Sequence, residues 1–179
     1  GGGFDVAGEF NLKKKTGRFE FKVVDLNQHT LYPILNPLLA PRQLLSVSIS
    51  GKGSADYDPK GDTVLKSELN ISQLAIGDAG KTLPQSPLSA DVQIDATLRQ
   101  PQLNLKTFLV TLTDGKDAAG RLELNGQLNL TQKSGQVAFK AVDLNQRAFR
   151  PLLESKLAPN KLASVSLHGS GSAQFDPQG

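Results

Sequence analysis

The sequence predicts a mainly β fold: a long-stranded, strongly curved antiparallel sheet, shaped as a groove or half-open barrel, with one short amphipathic helix in each repeat of about 118 residues. Three observations predict it. A segment near the start of the 179-residue chain recurs, in order, at its end. Apolar and polar residues alternate with period two over many long runs. Glycines fall in the middle of those runs, on the apolar side.

The repeat comes first, because it organises everything else. Residues 8–61 begin GEFNLKKKTGRFEFKVVDLNQ, and residues 126–179 begin GQLNLTQKSGQVAFKAVDLNQ. No gap is needed, the offset is 118 throughout, and about half the positions are identical. The chain divides into a first period over 1–118 and the truncated start of a second over 119–179. A period this long must hold several strands. The chain has no Met, even at position 1, and Gly1-Gly2-Gly3 lacks the features of a signal peptide. It reads as a piece of something longer, with any targeting or anchoring segment outside it.

The alternation assigns the strands and their apolar face. In 4–13 that face holds Val6, Phe10 and Leu12; in 18–24, Phe19 and Phe21; in 45–57, Val47 and Ile49. In 63–72 it holds Leu69 and Ile71, and in 88–99 Val92 and Ile94. Residues 102–112 begin with Leu103 and Leu105, then slip phase near Thr107 to Phe108, Val110 and Leu112, which suggests a bulge. In 121–131 the face holds Leu122, Leu124, Leu128 and Leu130; in 135–141, Val137 and Phe139. Val165 and Leu167 are the copies of Val47 and Ile49. Mid-strand Gly8, Gly51, Gly53, Gly126, Gly169 and Gly171 on this face favour sharp bending or close backbone approach.

Turn residues separate the strands. Lys15-Thr16-Gly17 and Lys133-Ser134-Gly135 have hairpin-loop composition. Asp58-Pro59-Lys60-Gly61 fits a type I turn, and Gln100-Pro101 marks another return. The helix spans about 28–40: Leu31, Ile34, Leu35, Leu38 and Leu39 follow helical spacing, and Phe149, Leu152, Leu153 and Leu157 repeat it. Asn27 and Asn145 suit the N-cap, and Pro41 and Pro159 stop the helix. Pro37, replaced by Ser155 in the copy, should shorten or kink it. In the repeated VDLNQ, Asp25 and Asp143 belong to a strand–helix junction, where Asp and Asn accept backbone hydrogen bonds and organise the turn.

One three-turn helix cannot cover so broad a sheet. Either the sheet closes around its own core, or it curls into a trough that stays partly open. A closed core would make a structural spacer or adhesin-like module with no ligand. An open trough suits an apolar ligand such as lipid acyl chains. Unpaired strands at either end of the fragment would favour self-association.

Other chemistry is sparse. Net charge is +3 with no dense basic block, so nucleic acid is not an expected partner. There is no Cys, hence no disulfide or thiolate chemistry. His29 and His168 are replaced in the other copy by Arg147 and Ser50. Asp56, Asp58 and Asp62 surround Gly61, but the EF-hand Glu position holds Ser67, and a solvated turn is the better reading. Gly51-Lys52-Gly53 lies inside a strand and is no dinucleotide fingerprint. Lys13-Lys14-Lys15 fits a solvated hairpin tip. No enzyme activity, cofactor or metal is expected.

VDLNQ, then an amphipathic helix with LLAP, then SVSxxGxGSAxxDP, resembles AsmA-like proteins of bacterial envelopes, across both copies. That resemblance implies a repeating β-groove of the lipid-transfer type, with phospholipid carried along the apolar face. It also implies a periplasmic location, an inner-membrane anchor outside this chain, and a role in outer-membrane homeostasis and biogenesis.

Overall fold

The computed structural model describes residues 2–77, 87–149 and 162–176. Nine strands and one complete helix follow each other in this order: β1 (Gly3–Asn11), β2 (Thr16–Asn27), α1 (Gln28–Leu39), β3 (Gln43–Tyr57), β4 (Thr63–Gly77), β5 (Leu88–Arg99), β6 (Gln102–Asp114), β7 (Asp117–Asn129), β8 (Ser134–Asn145) and β9 (Ser166–Phe175). Each strand pairs antiparallel with the next, giving a single meander from β1 to β9. The sheet is not closed. An odd number of alternating strands leaves β1 and β9 running the same way, so antiparallel closure between them is excluded. No large side chain is fully buried among the described residues.

The repeat has a direct structural counterpart. β7, β8 and β9 carry the copies of β1, β2 and the latter part of β3. Lys15 and its copy Lys133 have φ of 57° and 54°; Asp25 and Asp143 have 48° and 51°. These left-handed lysines close the hairpins. The Asn11 side chain accepts from the Lys13 and Lys14 amides at 3.1 and 3.0 Å. The turn therefore sits ahead of the expected Lys15-Thr16-Gly17, and Thr16 and Gly17 already belong to β2. An Asn side chain standing in for a backbone acceptor moved the turn.

VDLNQ works as a bulge and a cap together. The β2–β3 register breaks between Val23 and Leu26, around left-handed Asp25. Ser48 Oγ donates to Asp25 Oδ1 at 2.7 Å, and the Asp25 amide donates to Ser50 Oγ at 3.0 Å. Asp25 thus accepts from a hydroxyl where a backbone donor was expected. Asn27 does accept from a backbone amide, that of His29, at 3.1 Å, and caps α1. Asn145 repeats this with the Arg147 amide at 3.0 Å.

Pro37 does not shorten α1, which runs to Leu39 with both Pro33 and Pro37 inside it. Leu31, Leu35 and Leu39 are half-buried, while Ile34 and Leu38 are exposed. α1 packs chiefly on β3. The second copy begins helically at 146–149; Leu152, Leu153, Ser155, Leu157 and Pro159 lie outside the described residues. Ala148 of that turn packs with Leu88 and Ala119, against Leu74, Leu112 and Leu144. Both helical segments therefore sit along one rim of the sheet, where β2, β4, β6 and β8 end. The opposite rim carries the β1–β2, β3–β4, β5–β6 and β7–β8 turns, including the cis Gln100–Pro101 bond, while the two-residue β6–β7 turn lies on the helix rim.

The mid-strand glycines are close-approach points. A Cβ on Gly126 would lie 2.3 Å from the Gln136 carbonyl oxygen, and one on its copy-partner Gly8 would lie 2.4 Å from that of Arg18. A Cβ on Gly169 would meet nothing within 4 Å. Gly126→Ala is therefore expected to destabilise the fold by about 1–3 kcal/mol through overpacking, and Gly169→Ala by less than about 0.5 kcal/mol. Urea unfolding midpoints of the two variants check this.

Candidate ligand surface

The strand register sorts every side chain onto one of two faces, because directly paired residues point the same way. Three complete rungs cross all nine strands on the apolar side. One runs Phe4, Val23, Gly51, Leu69, Val92, Val110, Leu122, Ala141, Gly169. The next runs Val6, Phe21, Gly53, Ser67, Ile94, Phe108, Leu124, Phe139, Gly171. The third runs Gly8, Phe19, Ala55, Leu65, Ala96, Leu105, Gly126, Val137, Ala173. None contains a charge, and Ser67 is the one polar side chain. At about 4.8 Å between strands, the rungs extend for roughly 38 Å.

Bulges keep this face in phase. Asp95 pairs with Thr107 but Ala96 with Leu105, which leaves Lys106 unpaired. That extra residue returns Phe108, Val110 and Leu112 to the face of Leu103 and Leu105, the slip anticipated near Thr107. A break between Ile71 and Leu74, at left-handed Gln73, likewise sets Leu74 opposite Leu88.

Aromatic rings lie down over glycines. A Cβ on Gly53 would be 2.2 Å from the Phe21 ring, and one on Gly171 2.9 Å from the Phe139 ring. Phe4 and Phe10 stack beside Phe21 and Phe19, with centroids 6.2 and 6.4 Å apart. Rings folded onto bare backbone cover the strands and leave a low apolar floor.

Exposure on this face varies from strand to strand. Val92 and Ala90 on β5 are buried, whereas Phe4 is 60% and Val6 57% exposed on β1, and Phe139 is 45% exposed on β8. Phe4 and Val6 lie on an end strand, with a neighbour on one side only, and Phe139 on β8 lies beside Gly53's copy Gly171.

The expected face residues divide as follows. Val6, Phe10, Phe19, Phe21, Ile49, Leu69, Ile71, Val92, Ile94, Leu103, Leu105, Leu122, Leu124, Leu128, Val137, Phe139 and Leu167 share the apolar side. Leu12 and Leu130 sit in the hairpin turns instead, both exposed, and Val165 precedes β9. Val47 is buried beside the helix rim, only 3% exposed. Phe4, Val23, Leu65 and Phe175 also belong to the face; the same alternation marks them.

The other face is polar. Its central rung is Asp5, Lys22, Lys52, Glu68, Gln93, Leu109, Glu123, Lys140, Ser170. Arg18–Asp56 at 2.8 Å, Arg99–Asp62 at 2.6 Å and Lys52–Glu68 at 3.7 Å are solvent-facing pairs of small energetic worth. Asp56 and Asp62 are thus engaged by arginines, and Asp58 accepts from the Lys60 amide at 2.9 Å, within its own turn. Exposed His29 begins α1, and His168 lies 3.7 Å from Asp143 at the sheet surface. A hollow of about 1470 Å³ opens on this polar side, lined by Glu20, Lys22, Lys52, Lys66 and Glu68 among others. Its lining also includes Phe21, Val23, Leu69 and Val92 of the rungs.

No family model, curated protein or solved structure matches the chain.

Burial sets the cost of placing charge on the apolar face. Val92→Glu, in the shaded middle, is expected to cost about 3 kcal/mol or more. Phe139→Glu, where the acid can reach water, is expected to cost about 1 kcal/mol or less. Thermal unfolding of the two variants separates these outcomes.

Proposed function

We propose that this chain is a lipid-binding module, holding phospholipid acyl chains along its apolar face within a longer envelope lipid-transport protein. One observation carries the reading: three uncharged rungs cross nine strands, with large side chains left in solvent. A monomeric soluble surface rarely keeps so long an apolar strip uncovered. Each methylene moved from water onto it is worth about 0.8 kcal/mol, so a long chain lying across many strands gathers substantial affinity without any directional contact. The floor is uniform along the rungs, which favours sliding over fixed binding. The absence of a charge or a polar cluster in the rungs speaks against a headgroup site there; headgroups would stay at the rim, in water. The resemblance to AsmA-like proteins supports the same reading, with the periplasm as the location and an inner-membrane anchor supplied from outside this chain.

The test is detergent-free purification followed by native mass spectrometry and lipid extraction. The wild-type chain is expected to carry phospholipid and to take up a fluorescent phospholipid. Ile94→Asp or Leu124→Asp should lower that affinity on the order of 100-fold, because the carboxylate must be desolvated or the chain displaced. A lipid-free wild-type protein that also refuses the fluorescent lipid contradicts the proposal.

A further inference from the structure

The polar face changes character between the two copies. One of its rungs runs Glu9, Arg18, Asp56, Val64, Thr97, Asn104, Gln127, Gln136, Gln174. The repeat offset sets Glu9 against Gln127, Arg18 against Gln136 and Asp56 against Gln174. Every charge of the first copy's rung is thus a glutamine in the second. In the first copy, Arg18 Nε donates to Asp56 Oδ1 at 2.8 Å, so those two groups are spent on each other. Among the described residues, the side chains of Asn104, Gln127, Gln136 and Gln174 donate to and accept from no other group.

The neighbouring rungs on this face continue the pattern. Gln102, Asn129 and Ser134 lie on one side, and Asn125, Ala138 and Ser172 on the other, again without charge. Of these, Asn129 is engaged in its own turn, where Oδ1 accepts from the Thr131 and Gln132 amides at 3.1 and 2.9 Å. The rungs line a hollow of about 910 Å³, bordered also by Leu105, Lys106, Phe175 and Asp176. Its counterpart in the first copy is about 550 Å³ and is lined by Glu9, Arg18, Asp56, Asp58 and Asp62 among others. The amides stand on the face of the sheet, so a further strand beside β9 would lengthen this surface without covering it.

We infer that the amide ladder across β6–β9 binds a neutral, extended oligosaccharide, on the face opposite the apolar rungs. A carboxamide both donates and accepts hydrogen bonds, as a sugar hydroxyl does. A row of unengaged amides therefore matches a row of hydroxyls, with no charge left to neutralise on either side. The amides repeat at the strand spacing of about 4.8 Å, close to the advance of one ring along an extended β-linked glucan. An anionic ligand gains little here, because these rungs hold no Lys or Arg to form charge-assisted bonds. The paired charges of the first copy confine the site to the second.

The inference is tested by NMR titration of the whole chain with cellohexaose, read at the side-chain amide resonances. Shifts are expected at Asn104, Gln127, Gln136 and Gln174. Maltohexaose, whose α-linked chain coils, is expected to bind about tenfold more weakly. Gln127→Glu, Gln136→Arg and Gln174→Asp together give the rung the first copy's residues. That triple variant should weaken cellohexaose about tenfold or more and keep its unfolding midpoint, since the same three residues already stand in register in β1–β3. Gln136→Ala alone should weaken it about fivefold. No shifts at millimolar cellohexaose, equal binding of maltohexaose, shifts confined to the apolar rungs, or full affinity in the glutamine variants overturns the inference.

Discussion

Everything in this sheet depends on phase. Side chains alternate with a period of two, so a one-residue slip in any strand would turn its leucines outward and its lysines inward. Eight successive pairings must therefore agree. The chain holds them in agreement by spending single residues as bulges: left-handed Asp25 and Asp143 at the ends of β2 and β8, Gln73 in β4 and Lys106 in β6. Each bulge sits where the apolar spacing in the sequence changes parity, and each returns the next apolar residue to the common face.

The same constraint accounts for the openness. The sheet is stabilised by contacts between successive strands, as in other linear repeat folds, and not by a second layer. Its apolar side chains pack sideways, over glycines and against the next strand, and no large one is fully buried among the described residues. The helix rim is the exception. There α1 packs on β3, whose Leu44 and Val47 are buried, and Ala148 of the turn at 146–149 packs with Leu88 and Ala119. That division leaves one rim firm and the floor between the rims bare. A fold extended by adding strands lengthens the floor without changing its cross-section, and the copies preserve the floor's mid-strand glycines and apolar character, with Phe4, Phe10 and Phe19 becoming Leu122, Leu128 and Val137, while both histidines are exchanged.

Much of this was legible in the residues. Alternation gave the strands, their common face and the slip near Thr107, and the comparison of copies marked the glycines as structural. Three features were not legible, each for a local reason. The hairpin turn moved because the Asn11 side chain supplies an acceptor, which took Leu12 off the strand. The role of Asp25 rests on a positive φ that no spacing rule marks in a non-glycine residue. Helical periodicity grouped Ile34 and Leu38 with Leu31, Leu35 and Leu39, but the sheet offers α1 one line of contact, and the first two face solvent. The polar-side hollow had no sequence signal, since it arises from the shape of the whole sheet.

The central claim is that acyl chains lie on the apolar rungs and not in the polar hollow. Photocrosslinking with a phospholipid carrying a diazirine in its acyl chain, mapped by peptide mass spectrometry, tests it directly. Adducts are predicted on Val6, Phe21, Ile94, Phe108, Leu124 and Phe139, following one rung from end to end. Adducts concentrated on Lys22, Lys52, Glu68 and Lys140, or an even scatter over both faces, would contradict the account.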